Sequence, residues 1–229
     1  MSASSSPAAP ARREAHDVAD LIARDIQSGL FAAGAWLKQI DLEGRYGRNR
    51  LEIRRALDRL VQKRLVAHWP NRGYRVHEED GERAAKIRDI RLILELAAVD
   101  GVIARAAEAD VARLAALARN FDDLVLDGAV LEQYDANVAF HLELLRLNGN
   151  DELTALVTDL RGRISSAPAS QWRTRRRVEQ SSREHFAMVD AVAARDAERL
   201  RALIRAHILQ TGFNLEPTSR AFAEASEAQ

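Results

Sequence analysis

Apolar residues recur at helical spacing along most of this chain, and the exception is a short stretch around residue 70. Spacing of three and four residues is typical of amphipathic helices. Aromatic residues make up only 5% of the chain while Ala, Leu, Arg and Glu abound, which favours helices over sheets. The exception predicts two short strands at residues 65–69 and 74–77, around a turn at residues 70–73. The chain is therefore predicted to be mainly α-helical with one small hairpin.

The predicted elements fall into two groups. Helices at about residues 13–28, 37–46 and 50–63, followed by the hairpin, give the order of a winged helix-turn-helix. The polar, aperiodic segment 77–81 then marks a domain boundary. Beyond this boundary only helical patterns occur, at about residues 82–107, 110–127, 130–147, 151–166, 176–194 and 196–213.

This organisation predicts a mainly α fold. We expect a winged helix-turn-helix with a small β-wing at residues 11–78 and an all-α helical bundle at residues 82–214. The segments 1–10 and 215–229 are rich in small and polar residues, and we expect both to be disordered tails.

Composition excludes several classes of site. The chain has no cysteine, which excludes disulfides, thiolate metal sites and cysteine nucleophiles. No stretch approaches the ~18 consecutive apolar residues of a membrane span. The first residues lack the apolar core of a secretory signal. We therefore expect a cytoplasmic protein that has no membrane partner.

The formal net charge of zero hides an uneven distribution. Residues 11–78 contain 14 Lys and Arg against 9 Asp and Glu, a balance of +5, so the remainder carries −5. A basic segment indicates a nucleic-acid partner. On charge alone, a chance imbalance of surface residues explains the difference equally well.

The third predicted helix carries a stronger signal for DNA binding. Asn49 is a good N-cap, and Glu52 follows it as a capping-box partner. Arg50 and Arg54 lie four residues apart, away from the apolar stripe, and Arg48 adds a further guanidinium group. Arginine in the first turns of a recognition helix can bind guanine bidentately.

A solvated helix face with ion pairs such as Arg54–Asp58 is the alternative interpretation of this helix. The wing that follows is also basic, with Arg72 and Arg75. A basic helix followed by a basic wing favours DNA binding over the solvated face.

This region resembles the GntR family of bacterial regulators. The likeness lies in the turn from Gly29 to Gly34, in residues 47–57 against the family pattern VSRxxVRxAL, and in the wing at residues 71–76. The resemblance implies DNA contacts from the first turn of the third helix and from the wing tip. The implied residues are Asn49, Arg50 and Arg54, with Arg48 beside them, and Arg72 and Gly73. Such a protein is expected to bind double-stranded DNA as a homodimer on an inverted-repeat operator.

Three positions depart from the family pattern. Ala33 stands where proline is usual, Glu43 where alanine is usual, and Arg48 where valine is usual. Gly44 also weakens its helix by roughly 1 kcal/mol relative to alanine. Because an arginine cannot be buried unpaired, we expect Arg48 to extend outward. These departures leave open a ligand-binding or assembly protein that has lost DNA binding.

Three histidines lie on apolar faces of predicted helices in the second half of the chain: His141, His185 and His207. Imidazole is the commonest side-chain metal ligand near neutral pH. Asn137 shares the face of His141 and could add an oxygen ligand. The alternative is three hydrogen-bonded core histidines without a metal.

The same residues resemble the FCD effector domain of FadR-type GntR proteins. The likeness lies in Asn137-x-x-Phe140-His141, in Glu184-His185 and in the histidine on the last helix, His207. The resemblance implies a helical bundle, often with a metal held by an acid and three histidines and with a small carboxylate bound beside it. Here Asn137 stands where aspartate is frequent. Three histidines with an amide suit Zn²⁺, with Ni²⁺ and Mn²⁺ as further candidates and a metal-free polar pocket as the alternative.

Arg91 and Arg161 are the expected partners of an organic-acid effector. The alternatives are an ion pair with Glu95 for Arg91 and a surface position for Arg161. The sequence thus predicts a transcription regulator without catalytic residues, whose DNA affinity responds to a small ligand.

The rival from another class is a metal-dependent hydrolase, because a three-histidine site with an open position activates water. No obvious general base accompanies the histidines, and Glu184 projects about 100° away from His185 around its helix.

Overall fold

The computed structural model describes residues 17–78, 81–163 and 175–210. These residues form helices and one antiparallel sheet with the strand order β1-β3-β2. The helices are α1 Val18–Gln27, α2 Gln39–Tyr46, α3 Arg50–Gln62, α4 Gly81–Arg105, α5 Glu108–Asp127, α6 Val130–Arg146, α7 Asp151–Gly162, α8 Arg175–Ala193 and α9 Ala197–Leu209. The strands are β1 Trp36–Leu37, β2 Val66–Trp69 and β3 Gly73–Val76. The predicted mainly α fold with a small β-wing is confirmed, whereas the tails predicted at 1–10 and 215–229 lie outside the described residues.

Two helix starts are defined by side-chain caps. α1 begins at Val18, later than the predicted start near residue 13, and the Asp17 side chain accepts a hydrogen bond from the Ala19 N–H. At α3 the Asn49 side chain accepts from the N–H of residues 51 and 52, both at 3.0 Å. The Glu52 carboxylate in turn accepts from the Asn49 N–H at 3.1 Å. This is the capping box expected from the sequence.

The wing has three strands rather than the predicted two. Residues 36–37 form β1 and pair with β3, with Leu37 opposite Tyr74, whereas the sequence placed Leu37 at the start of the second helix. Leu37 is buried and Trp36 is exposed, so the side chains alternate as in a strand. A two-residue strand is too short for this alternation to be distinguished from a helical pattern in the sequence.

The six helices α4 to α9 form a bundle around their own apolar core. α8 packs between α5 and α9, and α4 packs on α9 and α7. The core draws side chains from five of the helices, for example Val99, Leu114, Phe140, Met188, Leu200 and Leu203. A separate core joins α1, α2, α3 and the sheet. None of the helices in the described ranges combines the length and apolar character needed to cross a membrane.

Helix α1 connects the two cores through polar contacts. Arg24 donates from Nε to the Asp135 carboxylate of α6 at 2.6 Å. The Gln27 side chain accepts from the Tyr134 hydroxyl at 2.6 Å and donates to the Gly162 carbonyl at the end of α7. A cleft of about 660 Å³ lies beside these contacts, lined mainly by residues of α1, α6 and α7.

Two helical glycines should respond oppositely to substitution by alanine. A Cβ at Gly44 in α2 would meet nothing within 4 Å, whereas at Gly101 in α4 it would lie 2.5 Å from the Asn148 carbonyl oxygen. Gly44→Ala should therefore raise the free energy of unfolding by about 0.5–1 kcal/mol. Gly101→Ala should lower it by about 1–3 kcal/mol. Urea unfolding followed by circular dichroism measures both, and a neutral Gly101→Ala would contradict the close packing of α4 on the α6–α7 turn.

Candidate functional site

The first turns of α3 present arginines to solvent. Arg50 and Arg54 are exposed and Arg48 is half-buried. Arg50 donates from Nε to the Gln39 side chain at 3.2 Å, which ties the start of α3 to the start of α2. Asp58, the ion-pair partner considered for Arg54, instead accepts a hydrogen bond from the Tyr74 hydroxyl at 2.6 Å. The guanidinium groups of Arg50 and Arg54 thus lie on an exposed face beside a capped helix N-terminus, where the helix dipole favours anions.

The wing tip is a tight turn between β2 and β3. The Arg72 N–H donates to the Trp69 carbonyl at 3.0 Å, and Gly73 has φ +98°, which a side chain would strain. Arg72 is exposed at this turn. Arg75 is not part of the tip, because it is bonded to the Gly34 carbonyl and forms an ion pair with Glu78 at 2.7 Å. Arg72 therefore carries the charge of the tip.

Helices α6, α8 and α9 bring His141, His185 and His207 together. One ring nitrogen from each lies within 4.8 Å of the others. The Nε2 atoms of His141 and His185 are 3.3 Å apart. Burial lowers the pKa of both these imidazoles well below the usual value, and nearby cationic groups lower it further. Both rings are therefore neutral at pH 7 and have lone pairs available to a ligand.

Asn137 lies one turn before His141 and is also buried. Among the described residues its Oδ1 atom has no hydrogen-bond partner, and neither does Nδ1 of His185. A buried acceptor without a partner costs about 1–3 kcal/mol and calls for an explanation, such as a bound ion. The residues that could hold a metal are therefore the three histidines and Asn137.

Glu184 is a further member of this site, to which the Glu184-His185 motif in the sequence assigned no role. Its carboxylate accepts from His207 Nδ1 at 2.7 Å, from Arg177 at 3.2 Å and from Gln180 at 3.1 Å. Burial would raise its pKa, but the hydrogen bond from His207 and the charge of Arg177 outweigh burial and lower the pKa. With Nδ1 of His207 donating to Glu184, the lone pair lies on Nε2.

The 100° offset that separates Glu184 from His185 is what directs its carboxylate to α9. The available sequence signal was the spacing of Arg177, Gln180 and Glu184, which lie three, four and seven residues apart on one helix face.

Arg91 and Arg161 share one buried carboxylate. Arg91 donates to one oxygen of Glu95 at 3.0 and 2.9 Å, and Arg161 donates to the other at 3.1 Å. The Arg91–Glu95 pair considered as the alternative does form, and Arg161 is not a surface residue, with 18% of its side chain exposed. Burial and the charge of Arg161 lower the pKa of Arg91 to about 10, so Arg91 still carries its charge at pH 7. The triad keeps one net positive charge.

The arginine triad lies close enough to the histidines to act on them. Burial is the largest cause that lowers the pKa of the three imidazoles, and the charge of Arg161 lowers each pKa further. Nε of Arg161 is buried and has no hydrogen-bond partner in the described part of the chain. The net positive charge of the triad and the Nε–H of Arg161 can together bind an anionic ligand.

Models of two known families match this chain. The model of bacterial regulatory proteins of the gntR family matches residues 14–76. The model of the FCD domain matches residues 86–210, more than half of the chain. Both matches confirm the likenesses inferred from the motifs.

Individual proteins are similar over most of the chain. The HTH-type transcriptional repressor GlaR of Escherichia coli K12 is 29% identical over 197 residues, 81% of this chain and 88% of that protein. An HTH-type regulator from an unstable DNA locus of Streptomyces ambofaciens is 29% identical over 181 residues, 77% of this chain and 74% of that protein.

Solved structures show the same fold. E. coli McbR/YncC matches with a TM-score of 0.76 at 21% identity, over 86% of this chain and 94% of that chain. A Rhodococcus sp. RHA1 protein assigned to the GntR regulators matches with a TM-score of 0.70 at 24% identity, over 86% and 94%.

Proposed function

The chain belongs to the GntR family of DNA-binding transcription regulators and carries an FCD effector domain, and we propose that a small organic acid bound in that domain controls its affinity for operator DNA. The observation that carries this proposal is the convergence of three neutral histidines, two of them buried and the third partly buried, beside a buried arginine triad of net positive charge. We assign DNA binding to residues 11–78 and effector binding to residues 82–214. We also propose that the protein works in the cytoplasm as a repressor, the role that the name of its E. coli relative gives to that protein.

We propose that the start of α3 and the wing tip contact DNA. The residues assigned are Asn49, Arg50, Arg54 and Arg48 on the helix and Arg72 and Gly73 on the wing. Exposure of Arg50, Arg54 and Arg72 supports this assignment and speaks against a domain that has lost DNA binding. One recognition helix contacts too few base pairs for useful specificity, so the protein should bind an inverted repeat as a homodimer.

Replacing Arg50 or Arg54 by alanine should weaken binding to the operator. We expect a cost of ~1–3 kcal/mol for each arginine that contacts guanine bidentately. The operator is obtained by selection from random duplexes, and affinities are measured on it and on unrelated DNA at fixed salt. Equal losses on both DNAs would reassign that arginine to a phosphate contact.

The matched control is Arg119→Ala, at an exposed position on α5. It should bind the operator like the wild type. Wild-type affinity in both Arg50→Ala and Arg54→Ala would show that α3 is not the recognition helix.

We propose that His141, His185, His207 and Asn137 hold a divalent metal, with Zn²⁺ preferred. Two nitrogen ligands at about 2.0–2.1 Å from a tetrahedral zinc ion lie about 3.3–3.4 Å apart, and the Nε2 atoms of His141 and His185 are separated by 3.3 Å. The carboxylate of Glu184 supports His207 as metal-bound histidines are commonly supported. The buried Oδ1 of Asn137 would gain a partner.

The assigned metal ligands are all neutral, so a bound cation would keep its full charge and attract an anion. Arg161 adds a buried donor, Nε, on the side of the arginine triad. We therefore propose that the carboxylate of the effector binds between the histidine cluster and Arg161. Glu184 acts as a positioning group in this proposal. Its oxygens are engaged by His207, Arg177 and Gln180, which speaks against the general base that a hydrolase requires.

Changing Asn137 to Asp should tighten metal binding and weaken the effector. The aspartate adds a charged ligand and removes one positive charge from the pocket. Elemental analysis of untagged protein before and after dialysis against a chelator measures the metal, and titration calorimetry measures both affinities. Any single His→Ala change in the cluster should weaken metal and effector together.

The exposed His68 provides a control, since His68→Ala should leave the metal content unchanged. If the three histidines only fill the core, the protein should bind no metal. Protein free of metal, with a melting temperature that Zn²⁺, Ni²⁺ and Mn²⁺ leave unmoved, would refute the metal site.

We propose that the effector signal reaches DNA through the end of α7. Arg161 pairs with Glu95, and the next residue, Gly162, accepts a hydrogen bond from Gln27 of α1. α1 packs directly on α3. A ligand that alters the position of Arg161 would therefore favour one orientation of the DNA-binding domain over another.

Gln27→Ala should reduce the effect of the effector on DNA binding. The substitution removes the contacts with Tyr134 and Gly162, so the coupling, typically ~1–3 kcal/mol, should fall while effector affinity is kept. The measurement is operator affinity with and without an organic acid identified by thermal-shift screening. Gln62→Ala, at the exposed end of α3, is the control. An acid that binds tightly and leaves wild-type DNA affinity unchanged would contradict the sensor role.

A further inference from the structure

The exposed face of α3 has an apolar residue at its centre. Leu51, the second residue of the helix, is 57% exposed. At 3.6 residues per turn, Leu51 lies roughly opposite the buried stripe formed by Ile53, Leu57 and Leu60. The exposed Arg54 and Arg55 follow one turn later on either side of it. A helix entering a groove with its arginines would thus present Leu51 at the middle of the contact.

A second exposed apolar residue lies at the start of α2. Ile40, the second residue of α2, is 69% exposed. The hydrogen bond between Gln39 and Arg50 joins the first residues of the two helices, and the next residue in each helix is Ile40 or Leu51. Single exposed apolar residues need no explanation. Two such residues at the adjoining starts of the two helices of the helix-turn-helix form a small apolar surface, the Ile40–Leu51 pair.

The surroundings of the Ile40–Leu51 pair indicate its partner. Arg48, Arg50, Arg54 and Arg55 all lie within four residues of Leu51 in the chain, and Leu51 lies in the first turn of α3, at the positive end of its dipole. Such a surface is complementary to DNA, whose only apolar group on the floor of the major groove is the C5-methyl of thymine. We propose, building on the proposed function, that Leu51 contacts the methyl group of one thymine in each operator half-site and that Ile40 packs beside it.

This contact makes Leu51 a residue that determines sequence specificity. The arginines bind phosphates and guanine, while Leu51 distinguishes thymine from cytosine by the methyl group. Burial of one methyl group corresponds to about a four-fold change in affinity. Uracil differs from thymine only in lacking that methyl, so it isolates this contribution without altering base pairing.

The test is uracil scanning of a selected duplex. The full-length wild-type chain first selects its preferred sequence from random duplexes, and each thymine is then replaced by deoxyuridine, one position at a time. We expect one position in each half-site at which uracil lowers affinity about four-fold. Leu51→Ala should bind the thymine duplex at least about four-fold more weakly than the wild type does. The variant should also bind the uracil duplex as tightly as it binds the thymine duplex. Its melting temperature should match the wild type, because Leu51 is exposed.

Leu156→Ala is the matched control, since Leu156 is an exposed leucine on α7 at 47%. It should keep the wild-type sensitivity to uracil. Failure to enrich any sequence would overturn the proposed function and this inference together. An enriched sequence that tolerates uracil everywhere, or that is equally sensitive to uracil with Leu51→Ala, would overturn the inference alone. Loss of the sensitivity only in Ile40→Ala would reassign the methyl contact and contradict the role of Leu51.

Discussion

The burial of neutral imidazoles inside a helical bundle is the interaction on which this structure depends. His141 and His185 are almost fully enclosed, and the ring of Phe140 stacks on His185 with centroids 4.1 Å apart. A charged imidazolium at this depth would be strongly destabilised, so the packing keeps these rings neutral. Because the rings are neutral, their nitrogen lone pairs are free to bind a ligand inside the bundle, whereas a purely apolar core would offer none.

Two carboxylates are buried near the histidines, and each is compensated by cationic or hydrogen-bonding partners. Glu184 is buried between His207 and Arg177, and Glu95 is buried between Arg91 and Arg161. Each carboxylate has cationic or hydrogen-bonding partners, without which its burial would be costly. The two networks have different roles. The network of Glu184 orients His207. The network of Glu95 ends at Arg161, which precedes Gly162, the residue whose carbonyl binds Gln27 of α1.

The contact of α1 with α6 and α7 relates the two hydrophobic cores. Arg24 and Gln27 reach across from the core of the DNA-binding domain, and Asp135, Tyr134 and Gly162 receive them. These contacts are polar and partly exposed, so they are individually weak. Weak contacts between two well-packed units suit a junction whose orientation a ligand can shift by the few kcal/mol that binding supplies.

Local sequence determined the helices, the capping box of Asn49 and Glu52, the family and the alignment of three histidines on apolar faces, because each of these depends on residues close together in the chain. Tertiary structure alone decided what depends on residues far apart. β1 exists because residues 36–37 meet β3 almost 40 positions later, and Arg75 is drawn to Gly34 by the same pairing. Arg161 is buried because α7 lies against α4. Its partner on α4, the carboxylate of Glu95, is 66 residues away in the chain, so local sequence could not predict the pair. Glu184 lies beside His207 because α8 packs on α9, a contact that helical periodicity within one segment does not predict.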